Sequence, residues 1–166
     1  MRIFVTGASG FVGSAVVPEL LRAGHQVVGL ARSDASASAV KAAGAEVQRG
    51  DLADLDGLSR GAASADGVIH LGFIHDFANF AMSAETDRAA IQTMAAAFAG
   101  SNRPLVVTSG TLGAGAPGTI GTEDDPMRRA GSQKARSTQP RIACVRSPSG
   151  CRRLCMATAT TASCRS

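Results

Sequence analysis

The chain has 166 residues, 45% of them hydrophobic, with a net charge of +4. Such a length fits one domain with enough apolar mass for a core, and no run of about 18 apolar residues is present to cross a membrane. The first residues do not read as a basic segment followed by an apolar stretch and a cleavage site, so the sequence predicts a cytoplasmic protein.

The net charge conceals two unlike halves. Residues 1–126 hold all 13 acidic residues and 8 of the 17 basic ones, a net of −5, whereas residues 127–166 hold 9 basic residues and no acidic one. All six Phe precede that boundary, and all four Cys (Cys144, Cys151, Cys155, Cys164) follow it. The composition therefore divides the chain into a globular part, 1–126, and a basic, Cys/Ser/Thr-rich tail, 127–166.

The globular part opens on MRIFVTGASGFVG. Arg2 to Thr6 reads as a strand, broken by Gly7, Gly10 and Gly13 before a helical pattern begins. Strand, glycine turn and helix together suit a dinucleotide pyrophosphate: Gly7 allows the sharp turn, Gly10 lets backbone approach the phosphates, and Gly13 lets the helix pack on its strand. The helix carries Val16, Val17, Leu20 and Leu21 on one face, with Pro18 interrupting it and Gly24 at its stop. His25 to Arg32 is a buried parallel strand by its apolar run.

The G-x-x-G-x-x-G spacing with Thr6 in front resembles the short-chain dehydrogenase/reductase superfamily. TGASGFVG is most similar to its extended and atypical branch, the NAD-dependent epimerase/dehydratase relatives. The resemblance covers Met1 to about Pro126. It implies a Rossmann-like, doubly wound parallel sheet of about five strands, incomplete at its C-terminal side, and a small carbonyl or sugar-like substrate. It also implies cofactor contacts from Gly7, Ser9, Gly10, Phe11, Val12 and Gly13.

The end of the second strand bears on the choice of cofactor. An NAD site places Asp or Glu about 20 residues beyond the glycines, on the ribose 2′-hydroxyl. Here stand Arg32 and Ser33, which suit a 2′-phosphate, so NADP(H) is preferred and NAD(H) stays possible. Alternatively, Arg32 is a solvated strand-end residue and Asp34 takes the ribose.

A helix from Ser36 to Ala43 and a strand from Ala45 to Arg49 follow, ending in Gly50, Asp51 and Leu52. By the resemblance, Asp51 and Leu52 lie against the adenine; by local rules, Asp51 N-caps the helix through Gly61. Asp66 to Phe73 reads as the fourth strand, and the resemblance places Leu71 and Gly72 at the cofactor. His70 reads as a satisfied core histidine, while His75 and Asp76, just past the strand, are the better candidates for substrate contact. A helix from Ala84 to Gly100 turns Ile91, Met94, Ala95 and Phe98 inward, and Pro104 to Ser109 is the fifth strand.

That strand runs into Ser109 and Thr111. In the superfamily this place holds a hydroxyl that donates to the substrate carbonyl, beside a Tyr and a Lys. Ser109 matches best and Thr111 second; a hydroxyl-rich strand exit is the plain alternative. The chain contains no Tyr, and Lys only at 41 and 134, so the Tyr–Lys proton relay cannot form. Catalysis by this chain is in doubt on that ground, and a non-catalytic NADPH-binding or redox-sensing module is the other reading.

Residues 127–166 show no helical or strand period. Back-translated with degenerate codons and read two nucleotides later, Cys151 to Arg165 accommodates Pro-Pro-Ser-Val-His-Gly-Asp-Gly-Asp-His-Gly-Phe-Val-Pro. This resembles the segment after the sixth strand in atypical epimerase-like relatives. The sequence thus predicts a frameshift between Asp124 and Gly131, and a largely disordered tail. The fifth strand would then be an apolar edge prone to pairing with other chains. The superfamily often dimerises through a long helix after that strand, and no apolar period here supplies one. The Cys spacing fits no zinc pattern, so no metal is expected. A disulfide framework needs an oxidising compartment that nothing else supports. Nine basic residues without an aromatic platform do not make a nucleic-acid site.

Overall fold

The computed structural model describes residues 1–108 and the backbone of two short strands, Ile142–Val145 and Leu154–Ala157. In chain order the elements are β1 Arg2–Thr6, α1 Gly13–Arg22, β2 Gln26–Ala31, α2 Asp34–Ala42, β3 Glu46–Arg49, α3 Leu55–Ala63, β4 Gly67–His70, α4 Phe80–Ala96, β5 Leu105–Val107, β6 Ile142–Val145 and β7 Leu154–Ala157. Strands β1 to β5 pair in parallel, and the sheet order is β3-β2-β1-β4-β5-β7-β6.

Alternation along β1 shows why both sheet faces are dry. Ile3 and Val5 face one way and pack with Val17 of α1 and Val40 of α2. Phe4 faces the other way, into the larger cluster with Leu58, Met94 and Phe98 from the α3 and α4 side. Helices on both faces force near-continuous apolar strands, which is what a parallel sheet shows in sequence.

Helix stops follow the expected chemistry. Gly24 has φ +80°; its N–H bonds Leu21 O, and the next N–H, of His25, reaches back to Leu20 O. This paired closure makes a Schellman stop. Pro18 does not interrupt α1, contrary to expectation: the helix runs from Gly13 to Arg22. Proline removes a single i−4 bond, and Val17 on one side with Leu20 and Leu21 on the other keep the helix on the sheet.

Three further expectations are corrected. Helix α3 begins at Leu55 and is capped by Asp54, whose Oδ1 accepts the Gly57 N–H at 2.9 Å; Asp51 is not its cap. Helix α4 starts at Phe80, four residues before the predicted Ala84. The fifth strand, moreover, is not a sheet edge, because β7 pairs antiparallel with β5 (Leu105↔Ala157, Val107↔Cys155) and β6 pairs with β7. Two segments of the 127–166 stretch are thus strands, added antiparallel beside the five parallel strands that the sequence predicts. These eight residues are the part of the stretch with regular structure among the described residues, the ladder groups of β5 pairing with a segment that can lie extended beside them. The remainder of the tail lies outside the described residues.

Arg103, just before β5, ties the α3 and α4 ends together. Its guanidinium donates to Ala63 O (3.2 Å), Ala65 O (3.0 Å) and Ala97 O (2.8 Å) and lies 4.2 Å above the Phe98 ring. A planar fork serves carbonyls from two helix ends at once, which an ammonium cannot do. We expect Arg103→Ala to lower unfolding free energy by about 2 kcal/mol, with Arg103→Lys recovering less than half of it. Urea melts of the two variants check this.

Candidate cofactor cleft

The site is built where the sheet order reverses, between β1 and β4, the place where open α/β sheets bind ligands. Gly7 turns the chain with φ +67°, and a Cβ there would lie 2.7 Å from Gly72 N. A Cβ on Gly13 would lie 2.2 Å from Gly7 O, so α1 reaches the turn only because that position carries no side chain. Gly10 is less crowded, its nearest atom 3.2 Å from a built Cβ. The fold itself therefore demands Gly7 and Gly13 more than Gly10, whose bareness leaves surface for a ligand. α1 has no side-chain cap; its Ser14 and Ala15 N–H groups bond Gly10 O (2.8 Å) and Val12 O (3.1 Å), so the N–H groups of Phe11, Val12 and Gly13, without a partner among the described residues, are the ones an anion could take.

From this turn a cleft of about 250 Å³ extends across the strand ends. Six of the residues singled out in the sequence line it: Gly7, Ser9, Arg32, Asp51, Leu52 and Gly72. The other six do not. Gly10, Phe11 (96% exposed) and Val12 are exposed on the turn, Gly13 is buried beneath it, Ser33 caps α2, and Leu71 packs into the α1–α2 core. Leu30, Ser36, Gly50, Ala53, Phe73 and Ile74 complete the lining and were not foreseen. Ser36 was within reach of sequence reasoning, since Ser33 and Ser36 form a capping box, with Ser33 Oγ accepting the Ser36 N–H at 3.2 Å.

Charge is distributed along the cleft in a definite order. Asp51 Oδ1 accepts the N–H groups of Ala53 (2.8 Å) and Asp54 (3.1 Å), which holds the carboxylate at the wall in a local turn. At the outer end, Arg32 is exposed and has no carboxylate partner among the described residues. Asp34, the rival for a ribose, is ion-paired with Arg49 at 2.6 Å.

Beyond Gly72 the chain carries aromatic rings. His75 meets Phe73 edge-on at 5.4 Å, and Phe80 packs on Phe73 at 5.9 Å. His75 is exposed near the cleft mouth. Asp76 is committed elsewhere: it accepts the N–H groups of Ala78 and Asn79 and the Asn79 side-chain amide (2.9 Å), launching α4. His70 is 1% exposed with both ring nitrogens bonded, the satisfied core residue expected from its strand. Ser109 and Thr111 lie outside the described residues.

Residues 3–133 match the NAD dependent epimerase/dehydratase family. The chain belongs to that family. An uncharacterized protein of Saccharomyces cerevisiae is 51% identical over 127 residues, covering 75% of this chain and 42% of that protein. A UDP-glucose 4-epimerase of Streptomyces lividans is 42% identical over 72 residues, 42% of this chain and 22% of its own. Among solved structures, a UDP-glucose 4-epimerase from Bifidobacterium longum, in complex with NAD+ and UDP, superposes with a TM-score of 0.61 at 22% identity. It covers 76% of this chain and 42% of its own and establishes the shared fold. The chain spans less than half the length of these family relatives. Among the described residues, no helix is long and apolar enough to cross a membrane.

The Asn79 side-chain amide, followed by the backbone N–H groups of Asn79 and Ala78, holds the Asp76 carboxyl below its ordinary value of 3.8. A depressed folded value means stability present above 3.8 and lost as pH falls through the lowered one. Asp76→Ala is thus expected to lower Tm at neutral pH, and the gap from wild type to close on acidification below 3.8. A gap constant with pH in paired thermal melts would remove the ionised turn as its source.

Proposed function

We propose that this chain binds NADP(H) in preference to NAD(H), and that the whole protein is a cytoplasmic oxidoreductase or epimerase/dehydratase acting on a small carbonyl or sugar-like substrate. The observation that carries the cofactor preference is the ion pair of Asp34 with Arg49 beside an Arg32 that has no carboxylate partner among the described residues. The carboxylate that could take a ribose 2′-hydroxyl is turned to Arg49, and the cation that could take a 2′-phosphate is left open to the cleft.

The cleft residues fit the group. Gly7, Ser9 and the uncapped start of α1 hold the pyrophosphate; Asp51 and Leu52 receive the adenine; Arg32 and Ser36, with the α2 N-terminus, hold the 2′-phosphate. When bound, the nicotinamide supplies or accepts hydride. Ser109, with Thr111 second, donates to the substrate carbonyl. The aromatic loop from Phe73 to Phe80 favours a substrate with an apolar face. The absence of any Tyr supports a second reading, a non-catalytic NADPH-binding module. NADPH binding without its oxidation across a panel of aldehydes and ketones would select that reading.

Arg32→Ala is expected to reduce the NADPH-to-NADH affinity ratio by about tenfold to a hundredfold, the size of a lost charge-assisted contact. An unchanged ratio in fluorescence titrations removes Arg32 from the 2′-phosphate. For residues 127–166 we retain the out-of-frame reading, supported by a family match that ends at residue 133, just past the compositional break. Resequencing the gene with long flanks tests it: a second frame encoding no apolar, glycine-punctuated protein beyond the codon for Ser166 ends that reading.

A further inference from the structure

Behind the cleft, buried polar groups form one connected chain. Thr6, at the end of β1, and His70, at the end of β4, are both fully enclosed. Thr6 Oγ1 lies 2.6 Å from His70 Nδ1 and also accepts the Gly72 N–H at 3.2 Å. His70 Nε2 lies 3.0 Å from Asp87 Oδ1 on α4, whose side chain is 24% exposed.

For the neutral imidazole the protons follow from the partners. A carboxylate only accepts, so Nε2 carries the hydrogen and Nδ1 is bare. The Thr6 hydroxyl then donates to Nδ1, which leaves its oxygen lone pairs for Gly72. Every group in the chain is satisfied in this arrangement. With the hydrogen on Nδ1 instead, that nitrogen donates to Thr6, and the hydroxyl hydrogen must turn away from its only partner among the described residues. A buried donor left in that state is costly. Asp87 is the group that selects the first arrangement.

We propose that Asp87 is a positioning residue: through His70 and Thr6 it holds Gly72 against Gly7 and so sets the cofactor cleft. The inference rests on the cofactor reading above. Leu71 N–H bonds Thr6 O at 3.2 Å, and a Cβ on Gly7 would touch Gly72 N at 2.7 Å, so the two loops meet with no slack. Losing the hydroxyl bond at Gly72 lets one cleft wall shift against the other.

The test uses the full chain, with NADPH titrated by fluorescence and the His70 tautomer read from long-range ¹⁵N spectra. Wild type is expected to bind NADPH and to carry the Nε2–H tautomer. Asp87→Ala, a favourable helix substitution, should lose that tautomer preference and bind NADPH about tenfold more weakly, with far-UV circular dichroism unchanged. Asp87→Asn keeps an oxygen that accepts from Nε2, and Thr6→Ser keeps the hydroxyl; both should stay within about twofold of wild type. Should Asp87→Ala fail to fold, the isosteric Thr6→Val, which cuts the chain at its other end, is read in its place for the same loss.

Wild-type affinity in Asp87→Ala or Thr6→Val, or an Nδ1–H tautomer in the unaltered protein, overturns the proposal. A wild-type chain that binds neither NADPH nor NADH overturns the cofactor reading, and the positioning role with it. That outcome is told apart from the others because wild type itself is silent.

Discussion

The seam between the ends of β1 and β4 is the contact on which the rest of the cleft depends. The strands pair in register with Thr6 opposite His70, and just beyond, Gly7 runs so close to Leu71 and Gly72 that there is no room for a side chain on Gly7. On one side of this seam the chain turns into α1; on the other it opens toward Phe73 and Ile74. The bases of both walls are thus fixed by backbone packing and main-chain hydrogen bonds, and flexible side chains act only farther out. A cleft based on backbone loses little conformational entropy when a ligand arrives.

Much of the cofactor half was legible in the sequence because its determinants are local. Four of the five parallel strands follow from apolar runs, β3 (Glu46–Arg49) being the polar exception, Gly24 stops α1 through a bond set spanning six residues, and the glycine turn lies within seven residues. Two of the misreadings turn on a choice between neighbouring residues, and one has a nonlocal cause. Two aspartates precede α3, and Asp54 rather than Asp51 caps it because bare Gly57 lets that carboxylate come over the helix start; a Cβ there would sit 2.1 Å from Asp54 Oδ2. The start of α4 shifted because Asp76 builds a turn with Asn79. The pairing of β7 with β5 joins residues some fifty positions apart, and no period within Leu154–Ala157 announces it.

The cleft lining divides along the same line. Gly7, Ser9 and Gly72 follow from motif spacing and the switch-point rule, whereas Leu30 and Ile74 line the cleft only through the sheet's three-dimensional course. Phe11 and Val12, adjacent to the glycines in sequence, lie exposed in the turn before α1 and do not line the cleft. Adjacency to a motif places a residue near a ligand, and the turn geometry decides whether its side chain faces it.

At the ribose end the choice between two cofactors rests on a small free energy. The Asp34–Arg49 pair is exposed, and such pairs contribute at most about 1 kcal/mol, a several-fold bias. The N-terminus of α2 adds a preference for an anion of similar size, and the Ser33–Ser36 box already satisfies part of that terminus from within. On the proposed NADP(H) reading the two biases act together, one withdrawing a carboxylate and the other attracting an anion beside Arg32. Neither would decide the matter alone. Preference at this end is therefore a sum of weak terms, which one exposed substitution can shift, while the backbone seam that shapes the cleft is left untouched by it.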